Sequence, residues 1–239
     1  MQKNIQLTHE EHERSKVRFP LSILSNDISS PLNVGGLFRL SDALGIETLY
    51  LCGDTPTPPN SKINKTSRST EKYVTFEYRA DAEALVASLK TSGILIVSLE
   101  ITSSSIAISS DDFTKTFSGK KPVCLIIGSE NTGVSESLLS LSDLSVHIPM
   151  YGNNSSMNLV SATSIACFEI TRIMQKAQVL NKERRDSAPP GSEVDEYKTM
   201  YRNCYRKLNR RPRESIDSSG LSDWKDSHSA ATSNSLVKA

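Results

Sequence analysis

Three short segments gather side chains able to do polar chemistry. Residues 128–133 read GSENTG and directly follow an apolar run at 124–127, so Glu130 falls just past a strand end, where α/β sheets hold ligands. A carboxylate in that position can orient a neighbouring donor or take part in a proton transfer. Residues 33–39 read NVGGLFR and open a helix. Asn33 suits an N-cap, Gly35 and Gly36 permit close backbone approach, and Arg39 follows roughly one and a half turns later. Residues 148–158 read IPMYGNNSSMN, where amides and hydroxyls, Ser156 and Asn158 among them, follow another strand-like run. Small, amide and charged residues at the carboxyl ends of three predicted strands point to a chemical site.

The elements that must carry these segments alternate along the chain. From about residue 18, RFPLSILS reads as strand, NVGGLFRLSDALG as helix and IETLYLC as strand; VTFEY, ILIVSLE, VCLIIG and SVHIPM read as further strands. Such alternation predicts an α/β fold with a mainly parallel sheet flanked by helices. The unbroken apolar runs ILIV and CLII predict strands covered on both faces. DAEALVASLK predicts a helix with Asp81 as N-cap and Gly93 as its stop. In the long helical segment from Ser156, Leu159, Ala162, Ala166 and Ile170 line one apolar stripe.

Composition narrows the function classes. The chain has 239 residues, 37% hydrophobic and 23% charged, enough for one sizeable α/β domain with extensions. A net charge of +1 leaves any polyanion to local basic patches. No apolar run has the length of a signal peptide or a membrane span, so a soluble, cytoplasmic protein is expected. Cys52, Cys124, Cys167 and Cys204 form no CxxC pair and read as buried reduced thiols. His9 and His12 in HEEH lack the zincin spacing and read as a solvated helix start, while His147 reads as a structural residue near a sheet edge. No metal is expected.

Two basic stretches stand out. Lys62, Lys65, Arg68 and Lys72 in SKINKTSRSTEK follow the second strand as basic loops. Past about Val179, NKERRDSAPPGSE reads as a linker, and EYKTMYRNCYRKLNRRPRE then sets Tyr197, Tyr201 and Tyr205 at four-residue steps among basic residues. That pattern suits phosphate contact with stacking, or a solvated tail helix. The predicted organisation is an N-terminal extension over 1–17, a domain over 18–178, and a basic, Ser-rich and partly disordered extension over 179–239.

In this order and spacing the three motifs resemble the SpoU (TrmH) branch of the SPOUT RNA methyltransferases. Asn33, Gly35 and Arg39 match its N-x-G-x-x-x-R; GSENTGVS matches its G-x-E-x-x-G; IPMYG followed by Ser156, Met157 and Asn158 matches its I-P-M-x-G then S-L-N. The resemblance covers about residues 18–176, and SLEITSSS resembles the family's loop beside the cofactor. One departure is visible: the family often has V-S-V-A after the Asn, whereas Leu159-Val160-Ser161-Ala162 shifts the serine by one place.

The resemblance implies a C-terminal deep trefoil knot, a homodimer with the active site completed across the interface, and S-adenosyl-L-methionine bound in the knot loops. Matching positions place cofactor contacts at Leu99, Gly128, Ile148, Met150 and Met157. They place catalytic roles at Asn33, Arg39, Glu130, Ser156 and Asn158. The implied acceptor is a ribose 2′-hydroxyl in RNA, with tRNA favoured by the short extensions and rRNA as the alternative; a catalytically silent RNA-binding homologue is a further reading. Nothing in the chain matches the dinucleotide fingerprint of a Rossmann methyltransferase. The family gives Arg39 the role of base; a guanidinium resists deprotonation, so a cationic clamp on phosphate and alkoxide is the other reading. Glu130 is expected to hold both Arg39 and Asn33.

Overall fold

Aliphatic strands buried on both faces dictate the architecture of this chain, seen here in a computed structural model that describes residues 4–8, 11, 13, 15 and 17–186. In chain order the elements are β1 (Phe19–Asn26), α1 (Pro31–Leu44), β2 (Ile46–Cys52), α2 (Ser61–Ser67), a 3-10 turn (Thr70–Lys72), β3 (Phe76–Arg79) and α3 (Ala82–Thr91). β4 (Leu95–Leu99), β5 (Ile106–Ala107), α4 (Asp111–Phe117), β6 (Val123–Ile127), α5 (Glu136–Leu141), β7 (Leu144–His147) and α6 (Leu159–Asp186) complete them. The seven strands form one sheet in the order β3-β2-β1-β6-β4-β7-β5. Every strand pairing is parallel. β6 is buried at all five positions, which explains its unbroken apolar sequence. All described residues lie in one compact unit, Met1–Cys204.

The helices begin and end where local chemistry requires. Asp81 caps α3 by accepting from the Ala84 N–H at 2.9 Å, as its sequence predicts. α1 differs from expectation: Ser30 is its N-cap and Pro31 fills the first helical position, so Asn33 lies inside the first turn. Proline at N1 needs no N–H and sets φ for a helix, which fixes the start two residues before Asn33. The two glycines of α1 serve two different neighbours. A methyl on Gly35 would overlap Thr66 Oγ1 and lie 2.5 Å from the Ile63 carbonyl on α2, whereas one on Gly36 would lie 2.8 Å from Val160 on α6.

Two segments depart from the sequence reading. The stretch around Lys62 and Lys65 is helical: Asn60 accepts from the Lys62 and Ile63 N–H groups, and Ile63 is a fully buried anchor. Lys62, Lys65, Arg68 and Lys72 all stay exposed on α2 and the turn that follows. α6 runs on to Asp186, past the change in composition at Val179, because Lys, Glu and Arg are good helix formers whatever their polarity. Of its predicted stripe Ala166 and Ile170 are buried while Leu159 and Ala162 are half-buried, and Cys167, Ile173 and Met174 extend the buried face.

Cys52, Cys124 and Cys167 are buried free thiols, and burial pushes Cys52 and Cys124 up to about 12. Among the described residues no helix is long and apolar enough to cross a membrane. His9, His12, Cys204 and the tyrosine-spaced basic stretch around Tyr197, Tyr201 and Tyr205 lie outside the described residues.

Candidate active site

β6, β4 and β7 are parallel neighbours, so the chain leaves their carboxyl ends, at Ile127, Leu99 and His147, along one side of the sheet. Each is followed by an irregular loop, and two of the three motifs are these loops. After β6, Gly128 is buried and leads into a closed turn in which Ser129 and Gly133 exchange backbone hydrogen bonds of 3.1 and 2.9 Å. A side chain on Gly128 would overlap the Gly133 carbonyl, and Gly133 itself has φ +69. Both motif glycines are therefore required by backbone geometry.

The turn aims Glu130 at the start of α1. Its Oε2 accepts from the Ser29 N–H at 2.9 Å and the Ser29 hydroxyl at 3.0 Å; its Oε1 accepts from the Ser30 N–H at 3.2 Å and the Asn33 amide at 2.8 Å. Because Glu130 can only accept, Asn33 must present its nitrogen to it, which turns Asn33 Oδ1 toward the Asn158 amide at 3.3 Å. Asn158 Oδ1 in turn accepts from the Val160 and Ser161 N–H groups at 3.0 and 3.2 Å, capping α6. One residue from each motif thus joins in a continuous line, Glu130 to Asn33 to Asn158, with both amide orientations fixed by the network.

Burial pushes the Glu130 carboxyl up, but the Ser29 backbone N–H and the Asn33 amide, with further donors, outweigh it and hold the group below the ordinary carboxylate range. A depressed folded-state pKa stabilises the fold above the unfolded value of about 4.3, and that contribution is lost as pH falls through the lower folded value. Glu130 is therefore ionised at neutral pH. In Glu130→Gln an NH2 group replaces one of two oxygens that each receive two donors. Turnover should fall about 10- to 100-fold, the size of a lost charged hydrogen bond, with the acid limb of the stability profile flattened; steady-state kinetics and a pH series of thermal melts check both, and an unchanged rate removes Glu130 from the site.

Arg39 does not join this line. It is exposed and has no hydrogen bond or ion pair among the described residues, so the expected Glu130–Arg39 contact is absent within the protomer. Helix geometry explains the separation: six residues past Asn33, Arg39 lies about 9 Å along α1 and faces a direction about 120° away. It shares the face of Gly35, toward α2. Ser156 is exposed as well and, among the described residues, bonds only to Asn154, through N and Oγ at 3.3 Å each. Of the residues matched to cofactor contact, Leu99, Gly128 and Ile148 lie at the carboxyl ends of the three strands: Leu99 and Ile148 are half-buried against the core and Gly128 is buried, while Met150 is half-buried and Met157 exposed in the segment after β7.

The profile of the SpoU rRNA Methylase family matches residues 20–168. The chain belongs to that family. A similar protein is the tRNA (guanosine(18)-2'-O)-methyltransferase of Thermus thermophilus, 28% identical over 166 residues that cover 70% of this chain and 81% of that one. Among solved structures, the TrmH/SpoU tRNA modifying enzyme of Aquifex aeolicus shares the fold with a TM-score of 0.59 at 23% identity, covering 81% of this chain and 91% of that one. The SpoU methyltransferase AviRb of Streptomyces viridochromogenes, solved with AdoMet, shares it with a TM-score of 0.58 at 24% identity over 68% of this chain and 63% of that one.

Around the Glu130 line, sequence reasoning missed Ser29 and Ser30, and beside its loop Glu100. Ser29-Ser30-Pro31 carries the signature of a helix start, and its amides are what Glu130 grips. Glu100 accepts from the Val134 N–H at 3.0 Å and the Ile101 N–H at 2.9 Å. Its signal was a lone acid closing the apolar run ILIVSLE.

Proposed function

We propose that this SpoU protein transfers a methyl group from S-adenosyl-L-methionine to a ribose 2′-hydroxyl of RNA, with tRNA as the substrate. The observation that carries the reading is the line Glu130–Asn33–Asn158, which draws one residue from each family motif to one place. The tRNA assignment follows the tRNA (guanosine(18)-2'-O)-methyltransferase similar to this chain; an rRNA substrate is favoured by the family's own description.

The strand-end loops suit the cofactor. Gly128 and Gly133 bring bare backbone to the mouth of β6, and Leu99, Ile148, Met150 and Met157 offer apolar walls for an adenosine. When bound, S-adenosyl-L-methionine supplies a methyl already activated on a sulfonium. The chain must then orient the acceptor oxygen in line with that carbon and manage its proton. Asn33 and Asn158, fixed through both ends of their amides, position the acceptor or the loop that meets it. Arg39, cationic and unpaired, clamps a backbone phosphate and stabilises the oxygen as its proton leaves. Exposed Lys62, Lys65, Arg68 and Lys72 extend positive charge along the α2 flank of α1, next to Arg39, where further phosphates can bind.

Two features complete the reading. A homodimer accounts for Arg39, which reaches no member of its own line and would serve the partner's site; Ile165 (43% exposed) and Phe168 (61% exposed), one turn apart on α6, offer an apolar face to a second copy. A trefoil knot accounts for the path after β7, which must return across the ends of β4 and β6 to bring Asn158 to α1, while α6 packs on the α4–β6 connection at Gly119. The catalytic domain then spans 18–178, with extensions over 1–17 and 179–239. The test is incubation of the purified protein with labelled S-adenosyl-L-methionine and unmodified tRNA or rRNA transcripts. Label in tRNA supports the assignment, label in rRNA alone moves the substrate, and tight RNA binding without transfer points to a silent homologue.

A further inference from the structure

We infer that Glu100 is a positioning residue that sets the catalytic line from the far side of the loop after β6. The inference rests on the proposed methyl-transfer reading and adds a part to it. Glu100 directly follows β4, the strand between β6 and β7, and its own N–H donates to the Val146 carbonyl on β7 at 2.9 Å. Its side chain turns the other way, toward β6. Oε2 accepts from the Val134 N–H at 3.0 Å, and Oε1 accepts from the Ile101 N–H at 2.9 Å. No cation pairs with it among the described residues, so two backbone amides on two loops are its partners.

The seat of this carboxylate is built into the motif. At Gly133 the position a methyl would take is occupied by Glu100 Oε2, and the residue has φ +69. The second glycine of G-x-E-x-x-G therefore does two things: it closes the turn with Ser129 and leaves room for Glu100. That same turn carries Glu130 to Ser29, Ser30 and Asn33. The carboxylate of Glu100 grips one end of a seven-residue loop, 128–134, whose third residue, Glu130, grips the start of α1. The loop after β4 is also tied at its far end, where Ser105 Oγ lies 2.9 Å from His147 Nδ1 on β7. Glu100 thereby links the cofactor-side loop of β4 to the placement of Glu130 and, through it, of Asn33 and Asn158.

In Glu100→Gln one of the two amides loses its acceptor and faces an NH2 group. Hydrogen exchange, compared with the wild-type protein, reads the link without reference to activity. Exchange should accelerate about tenfold both at 133–134 and at 29–33, where Glu130 caps α1; acceleration confined to 101 and 134 overturns the inference even if the protein proves to have no methyltransferase activity. Kinetics read it independently. Glu100→Gln should lower kcat about tenfold, and in a Glu130→Gln background it should cost little more, because both changes act through one loop. Fully additive losses, or a normal kcat, overturn it. Gly133→Ala reaches the same contact from the loop side, and a folded Gly133→Ala protein with unchanged exchange at 29–33 also overturns it.

Discussion

Arg39→Ala should lower methyl transfer by about 10²- to 10³-fold, the range seen when a group that stabilises developing oxygen charge is removed, while S-adenosyl-L-methionine affinity by calorimetry changes less than about twofold, since no hydrogen bond ties Arg39 to the strand-end loops among the described residues. The split between kcat and cofactor affinity is the diagnostic part. Its solvent exposure and lack of a partner among the described residues make a folding defect an inadequate explanation for such a loss. Arg39→Lys separates the two chemical roles. A clamp that needs only charge retains part of the rate, whereas a bidentate grip on phosphate loses nearly all of it. Mixing Arg39→Ala with Glu130→Gln should raise activity above that of either impaired variant alone, because a heterodimer of the proposed kind assembles one site from two intact halves. No recovery from stable mixed dimers would place Arg39 in its own protomer's site.

Phe168→Asp should convert the proposed homodimer into a monomer in light scattering and abolish turnover with it. Phe168 is 61% exposed on α6 beside Ile165, an arrangement that leaves a large ring in water unless a partner covers it. A carboxylate there would be desolvated on association, a cost of several kcal/mol for an unpaired charge. The same change is mild within the protomer, so circular dichroism and the melting temperature should stay close to wild type. An unchanged dimer, or a fully active monomer, would remove α6 from the interface.

Much of the site was legible in the sequence because it depends on residues whose job is local. Gly133 and Gly128 serve a turn, Asp81 a cap, and the unbroken apolar runs 94–97 and 124–127 announce double-sided burial. The convergence of Asn33, Glu130 and Asn158 was legible only through the family resemblance, since contacts separated by 97 and 125 residues leave no trace in periodicity. What failed was the detail of reach. Pairing Glu130 with Arg39 assumed that two motif residues on one helix face one way, and six residues of helix rotate them apart. Naming Asn33 as the N-cap overlooked Pro31, whose missing N–H made Ser30 the better start. The basic segment after β2 looked like loop because its lysines hide the one anchor, Ile63, that folds it onto α1. Ser29 and Glu100 escaped notice because each acts through or upon backbone amides, which sequence does not display.

The most direct test asks where the methyl group goes. A 2′-O-methyl removes the internal nucleophile that alkali needs to cleave the adjoining phosphodiester, so RNA labelled by this protein and digested in alkali should yield its label in a resistant dinucleotide. Label released instead in mononucleotides would show methylation of a base and contradict an acceptor at the ribose.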